Sequence, residues 1–235
     1  MTFTELKKTL EPLKEGSSYR NIYKLLYYIC LFKYSNRELL QKSFTSAFKI
    51  ATKEKIKFLN NLGYFDLLED VIIPNKTTFE ILQILDKKDL DLDYSPSKLL
   101  PALPSGMGNI NELNNTEVFI QAVNLPDFYS LLFPNFGYII PDALLVRKNG
   151  DKYKLEFLEI EASKENWSSY LENKHQNYLQ LATNKDVYDY WLDCCDIFKW
   201  SIPDINNFKF SVVIIGKIKR DWEDCFIFRE TLNGS

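Results

Sequence analysis

The sequence predicts a two-part chain of mixed class, α+β at its N-terminus and α/β at its C-terminus. Three observations predict it. Apolar residues recur at helical spacing through the first third. A strong turn signal, Lys148-Asn149-Gly150-Asp151, separates two apolar runs in the second half. Charge is also divided: residues 1–62 carry 12 Lys+Arg against 5 Asp+Glu, a net of +7, while residues 63–235 carry 17 against 27, a net of -10. A basic front and an acidic body fit a phosphate-binding head on a body with clustered carboxylates.

In the first part, Ile22, Leu25, Leu26, Ile29 and Phe32 fall three and four apart and predict a helix over 20–34. Ser35 followed by Glu38 has the capping-box pattern and predicts a short second helix over 36–42. A third helix is expected from Thr45 or Ser46 to Leu62, with Phe48, Ile56 and Leu59 inward and Gly63 ending it. Residues 64–68 and 71–73 read as a small hairpin around Glu69-Asp70, and 77–85 as another helix. Three helices, a hairpin and a helix is the order of a winged helix-turn-helix. Its recognition helix would be the third, with Lys49, Lys53 and Lys57 four apart on one face and suited to DNA phosphates.

Pro96, Pro101, Pro104, Gly106 and Gly108 mark a linker. The expected organisation is therefore a winged helix-turn-helix over 1–90, a linker over 91–115 and a second domain over 116–235. In the latter, a helix is expected over 115–123, strands over 138–146 and 152–161 joined as a hairpin, a helix over 167–181 and a buried strand within 208–217. In the helix over 167–181, Trp167, Tyr170, Leu171, Tyr178 and Leu181 are spaced for one side.

Composition excludes several chemistries. There is one histidine, His175, so no histidine-rich metal triad can form. The cysteines Cys30, Cys194, Cys195 and Cys225 lack zinc spacing and read as buried reduced thiols. There is no G-x-S-x-G element to present a nucleophilic serine. Trp191, Trp200 and Trp222 read as packing. Metal chemistry here rests on carboxylates, which favour Mg2+ or Mn2+. No apolar stretch reaches the ~20 residues of a membrane span, and the N-terminus lacks the order of a signal peptide. A cytoplasmic protein without membrane partners is the expectation.

The residues that suggest chemistry lie on the hairpin. Asp142 is on its first strand; Glu159 and Glu161, two apart, project to one face of its second. Three converging acids repel one another unless a cation lies between them, and a magnesium ion held by two carboxylates can activate water against a phosphodiester.

Pro141-Asp142 followed by Glu159-x-Glu161 across a hairpin resembles the PD-(D/E)xK restriction-endonuclease-like core. More closely, 140–145 (IPDALL) with 157–163 (FLEIEAS) resembles the replication-relaxation family of plasmid and mobile-element proteins, which includes MOBC-type mobilisation relaxases. That resemblance covers roughly residues 19–85 and 137–216. It implies a winged helix with a nuclease-like domain, and a helix after the hairpin carrying a lysine and a tyrosine four apart, here Lys174 and Tyr178. Glu161 replaces the usual third-position lysine, so Lys174, or else Lys164, would substitute for it. Asp142 and Glu159 would hold the metal, Glu161 would be a third ligand or orient water, and Lys174 would stabilise developing charge. Glu117 would be an auxiliary acid. Tyr178 would support Lys174, pack, or act as a covalent nucleophile.

The expectation is a metal-dependent DNA endonuclease, nickase or relaxase-like protein. The alternatives are a non-catalytic DNA-binding accessory or regulatory factor with a degenerate nuclease-like domain, and a protein in which both domains dock partners. DNA, other mobilisation or replication proteins and a second copy of the chain are the expected partners.

Overall fold

Helical spacing in both halves of the sequence, and apolar runs between turn signals, resolve into nine α-helices, one 3-10 turn and seven strands among the described residues of a computed structural model. These residues are 2–13, 19–88, 101, 110–161, 167–198, 200–201, 209–216, 222–223 and 225–232. The chain divides into two units, Met1–Ile120 and Gln121–Ser235. Most of the expected linker, and Lys164, lie outside the described residues.

The N-terminal unit opens with α1 (Phe3–Thr9), held by a capping box between Thr2 and Glu5. In α2 (Tyr19–Phe32), Ile22, Leu25, Leu26 and Ile29 are fully buried, as their spacing predicts. The next helix, α3 (Arg37–Gln41), is capped by Asn36, whose side-chain oxygen accepts from Leu39 N–H at 2.9 Å. Ser35, the expected cap, is instead buried and exchanges two backbone hydrogen bonds with Ile72, at 3.1 and 2.8 Å. It thereby extends the antiparallel hairpin of β1 (Asp66–Leu68) and β2 (Val71–Ile73), whose turn uses Glu69 at φ 54.

The expected third helix is two helices, α4 (Ala47–Ile50) and α5 (Lys53–Asn61). Thr52 has extended backbone and its hydroxyl accepts from Lys55 N–H at 3.4 Å, so the chain restarts there. The break overturns two expectations. Phe48 is 66% exposed and not inward, and Lys49 stands on α4, off the helix that carries Lys53 and Lys57. Gly63, at φ 73, follows α5 as expected. Helix α6 (Lys76–Lys88) packs on α2 with Ile81, Leu82 and Leu85 buried. Helix α7 (Ile110–Val123) crosses the division between the units, and its Thr116 hydroxyl donates to the Tyr34 carbonyl within the first.

The C-terminal unit is a five-stranded mixed sheet, β3 (Phe128–Leu132), β4 (Ala143–Asn149), β5 (Lys152–Ile160), β6 (Phe210–Ile215) and β7 (Phe226–Arg229), in that spatial order. The β3–β4 and β4–β5 pairs are antiparallel; β5–β6 and β6–β7 are parallel. The predicted hairpin is β4–β5, with Asn149 opposite Lys152 and Gly150 at φ 60 in its turn. Its first strand starts at Ala143, later than expected, because a turn at Gly137 (φ 81) and the missing N–H of Pro141 keep 136–142 irregular.

Helices α8 (Trp167–Thr183) and α9 (Asp186–Phe198) connect β5 to its parallel neighbour β6. On α9 the residues Val187, Trp191, Cys194 and Cys195 are buried on one face, which accounts for the adjacent cysteines. Among the described residues no helix is long and apolar enough to cross a membrane.

Candidate active site

The antiparallel register sets Ala143 opposite Leu158, so Asp142 arrives beside Glu159 and Ile160. Asp142 fastens this end of the hairpin. Its N–H donates to the Leu158 carbonyl at 3.2 Å, and its Oδ2 accepts from Ile160 N–H at 2.7 Å. The period of two along β5 turns Phe157 and Glu159 toward the same helix: the Phe157 ring lies 5.7 Å from that of Tyr178, and Glu159 meets Lys174 and Tyr178. Lys174 and Tyr178 are four apart on α8 and so share a face.

Glu159 is 1% exposed, and both its oxygens are engaged. Oε2 accepts from Lys174 Nζ, and Oε1 accepts from the Tyr178 hydroxyl at 2.7 Å. Lys174 Nζ also stands 3.5 Å from Glu161 Oε1, a second, largely buried ion pair. Glu161 is seated by its own N–H on the Ile215 carbonyl at 2.9 Å. Gly216 backs it: a Cβ there would lie 3.3 Å from both the Cβ and the carbonyl oxygen of Glu161.

Asp142, Glu159, Glu161 and Lys174 therefore lie near one another. Three carboxylates face one ammonium, so the fully ionised cluster is doubly negative. Burial pushes the Glu159 carboxyl up to about 7, against the pull of Lys174 and with a further push from Asp142. Burial also raises Glu161. Burial disfavours the charged form of Lys174, but the charges of Glu159 and Asp142 outweigh it and hold the ammonium above the usual lysine range. Tyr178 is raised well above the usual phenol range, first by burial and then by the Glu159 charge. A phenol so buried and held protonated is a hydrogen-bond donor to Glu159.

The cation that the acids were expected to need is present as Lys174. In charge and in donor chemistry the carboxylates suit a divalent ion: the excess is two negative charges and the donors are hard oxygens. In arrangement, Lys174 Nζ stands between Glu159 and Glu161. Among the described residues no group of three or more His, Cys, Asp and Glu is set to hold a metal ion.

His175, next to Lys174, is turned to other partners. Its ring stacks on Trp222 at 4.2 Å, and its Nε2 lies 2.6 Å from Glu223 Oε2. Glu117 is exposed on the part of α7 that belongs to the N-terminal unit. Tyr170, expected on the packed side of α8, is 53% exposed, and Lys174 Nζ lies 4.7 Å from its ring centroid. Its spacing gave a signal that could have found it, since Tyr170 is one turn before Lys174. Asn177 donates to the Tyr138 carbonyl at 3.1 Å and so ties the segment leading to Asp142 onto α8.

In the N-terminal unit, Lys53 and Lys57 are exposed on one face of α5. With Arg37 and Asn60 they line a pocket of about 430 Å³ whose far side is the β1–β2 turn, Glu69-Asp70. Lys49 is exposed on α4. The Lys55 ammonium bonds the Lys49 carbonyl at 2.8 Å, joining the two short helices.

Comparison of the chain with protein-family models, with curated proteins and with solved structures returned no match.

Proposed function

We propose that the chain is a DNA-cleaving or DNA-nicking protein, with a winged-helix-like N-terminal unit that binds DNA and a PD-(D/E)xK-like C-terminal unit that carries the phosphodiester chemistry. One observation carries the reading: Asp142, Glu159 and Glu161 from a hairpin meet Lys174 from the following helix. That is the constellation the resemblance to the replication-relaxation family implies, with the lysine moved from the strand to the helix. The order of elements in the C-terminal unit, hairpin then helix then parallel strand, supports the same reading.

Mg2+ or Mn2+, if bound, would be held by Asp142, Glu159 and Glu161 and would supply an activated water and charge stabilisation at the phosphate. Of the chain's own groups, Tyr178 orients Glu159, Gly216 leaves room for Glu161, and Lys174 balances charge. The exposed Lys53 and Lys57 are the phosphate contacts proposed for the N-terminal unit.

A second reading is a non-catalytic DNA-binding factor. It is favoured by the full engagement of Glu159 with Lys174 and Tyr178, a closed internal ion pair that needs no ligand. Supercoiled-plasmid nicking with Mg2+ or Mn2+ separates the two. Metal-dependent nicking that is lost in both Asp142→Asn and Glu159→Gln is the expected result. No nicking by folded wild-type protein that still binds DNA would select the second reading.

A further inference from the structure

Two large apolar side chains among the described residues of the C-terminal unit stand in solvent, Ile140 at 62% exposure and Tyr170 at 53%. Single exposed apolar residues are ordinary. These two are set apart by position, because both adjoin the acid–lysine cluster in sequence: Ile140 is two residues before Asp142, and Tyr170 is one helical turn before Lys174. Tyr170 has a further contact. The Lys174 ammonium, itself anchored on Glu159, lies 4.7 Å from its ring centroid.

An ammonium against the ring restrains its orientation, while half of the side chain stays open to solvent. An ordered, exposed aromatic ring binds a flat partner without first having to be ordered. Beside a group that handles phosphate, the flat partner with a phosphate attached is a nucleotide. Inside a duplex both faces of a base are covered by its neighbours, so only an unpaired or extruded base can lie on the ring.

We propose that Tyr170 is a stacking platform for an unpaired nucleobase whose phosphate enters the acid–lysine cluster, so that the C-terminal unit takes single-stranded or locally opened DNA. This rests on the nuclease reading above. Ile140 is exposed on the segment that Asn177 ties to α8, two residues before Asp142.

The test is the affinity of the full chain for a fluorescein-labelled 15-nucleotide mixed-sequence strand and for the same strand in duplex. It is read by anisotropy with Mg2+ present and strand integrity checked on a denaturing gel. The measurement is repeated in the K53E/K57E form, which removes the basic helix of the N-terminal unit. Tyr170→Ala is expected to weaken single-strand binding by roughly tenfold in the K53E/K57E form, to leave duplex binding within twofold, and to be rescued by Tyr170→Phe. Single-strand binding unchanged in Tyr170→Ala, an equal loss for both DNAs, or no single-strand binding by the wild type would each overturn the platform. Plasmid nicking distinguishes the two failures. Intact nicking with no Tyr170 effect overturns the platform alone; a Tyr170 effect without nicking keeps the platform and overturns the nuclease.

Discussion

Replacing Lys174 with methionine keeps most of the apolar stem and removes the charge, leaving Glu159, 1% exposed, without its cation. The Lys174 side chain is itself only 16% exposed, so solvent screens the pair little. Breaking a buried pair by deleting one partner costs about 3–5 kcal/mol. The cost depends on pH in a defined direction. Lys174 lowers the Glu159 carboxyl, so its loss drives that group above the value of about 7 that it has with the lysine present. At pH 5 Glu159 is neutral with or without the lysine; at pH 8 it is ionised only while the lysine is present, so the variant bears the further cost of holding a proton there. Urea unfolding read by tryptophan fluorescence measures this in the relevant unit, because Trp167, Trp191, Trp200 and Trp222 all lie in it. The expected result is a destabilisation that grows by up to about 1.4 kcal/mol from pH 5 to pH 8, the linkage limit for a group at about 7 in the wild type, with the Lys174→Met/Glu159→Gln double variant more stable at pH 8 than Lys174→Met alone. A flat penalty across this range, or a double variant as unstable at pH 8 as Lys174→Met, would refute the charge-compensation argument.

Three further outcomes follow from the same geometry. Tyr178→Phe removes the donor to Glu159 Oε1 and should cost roughly 1.5–3 kcal/mol, the range for a hydrogen bond to a charged group, read by the same urea titration at pH 8. Because the Glu159 carboxyl is higher in the folded chain than its ordinary 4.5, its contribution to stability is complete below pH 4.5 and is lost as pH rises through about 7, a change of about 3 kcal/mol that Glu159→Gln should abolish. Gly150→Ala places a side chain at φ 60 with nothing within 4 Å, so its cost is conformational alone and should be about 1 kcal/mol by thermal unfolding, with Gly150→Asn smaller.

What the sequence made legible was local. Asn149-Gly150-Asp151 between apolar runs fixed the hairpin, and the hairpin fixed the meeting of Asp142 with Glu159. The helix after it needed only its spacing, and Lys174 came from the resemblance. The break between α4 and α5 was hidden because Ala51-Thr52 contains neither Gly nor Pro; only the Thr52 hydroxyl marks it. Strand β3 lay between Pro126 and Pro134, which hid a run that pairs with β4 and buries Leu131 and Leu132. Helix α9 did carry a signal, since Val187, Tyr190, Trp191, Cys194 and Cys195 follow the three-four spacing, but the cysteines drew attention to their thiols and away from their period. Spacing alone does not show that a lysine 13 residues beyond Glu161 folds back to stand between two of the acids.

The parallel pairing of β5 with β6 bears on how the chain is made. The β4–β5 hairpin closes over a two-residue turn, whereas about 50 residues separate Ile160 from Phe210, its neighbour in sequence order across the crossover. At roughly 5–20 residues per second of synthesis, β5 waits several seconds on the ribosome with one backbone edge open and with Leu155, Phe157 and Leu158 short of their final cover. Glu156 and Glu159 sit among those apolar residues, and a strand that carries acids is a poor template for an unrelated strand. The two acids therefore lie within the strand whose open edge must wait for β6.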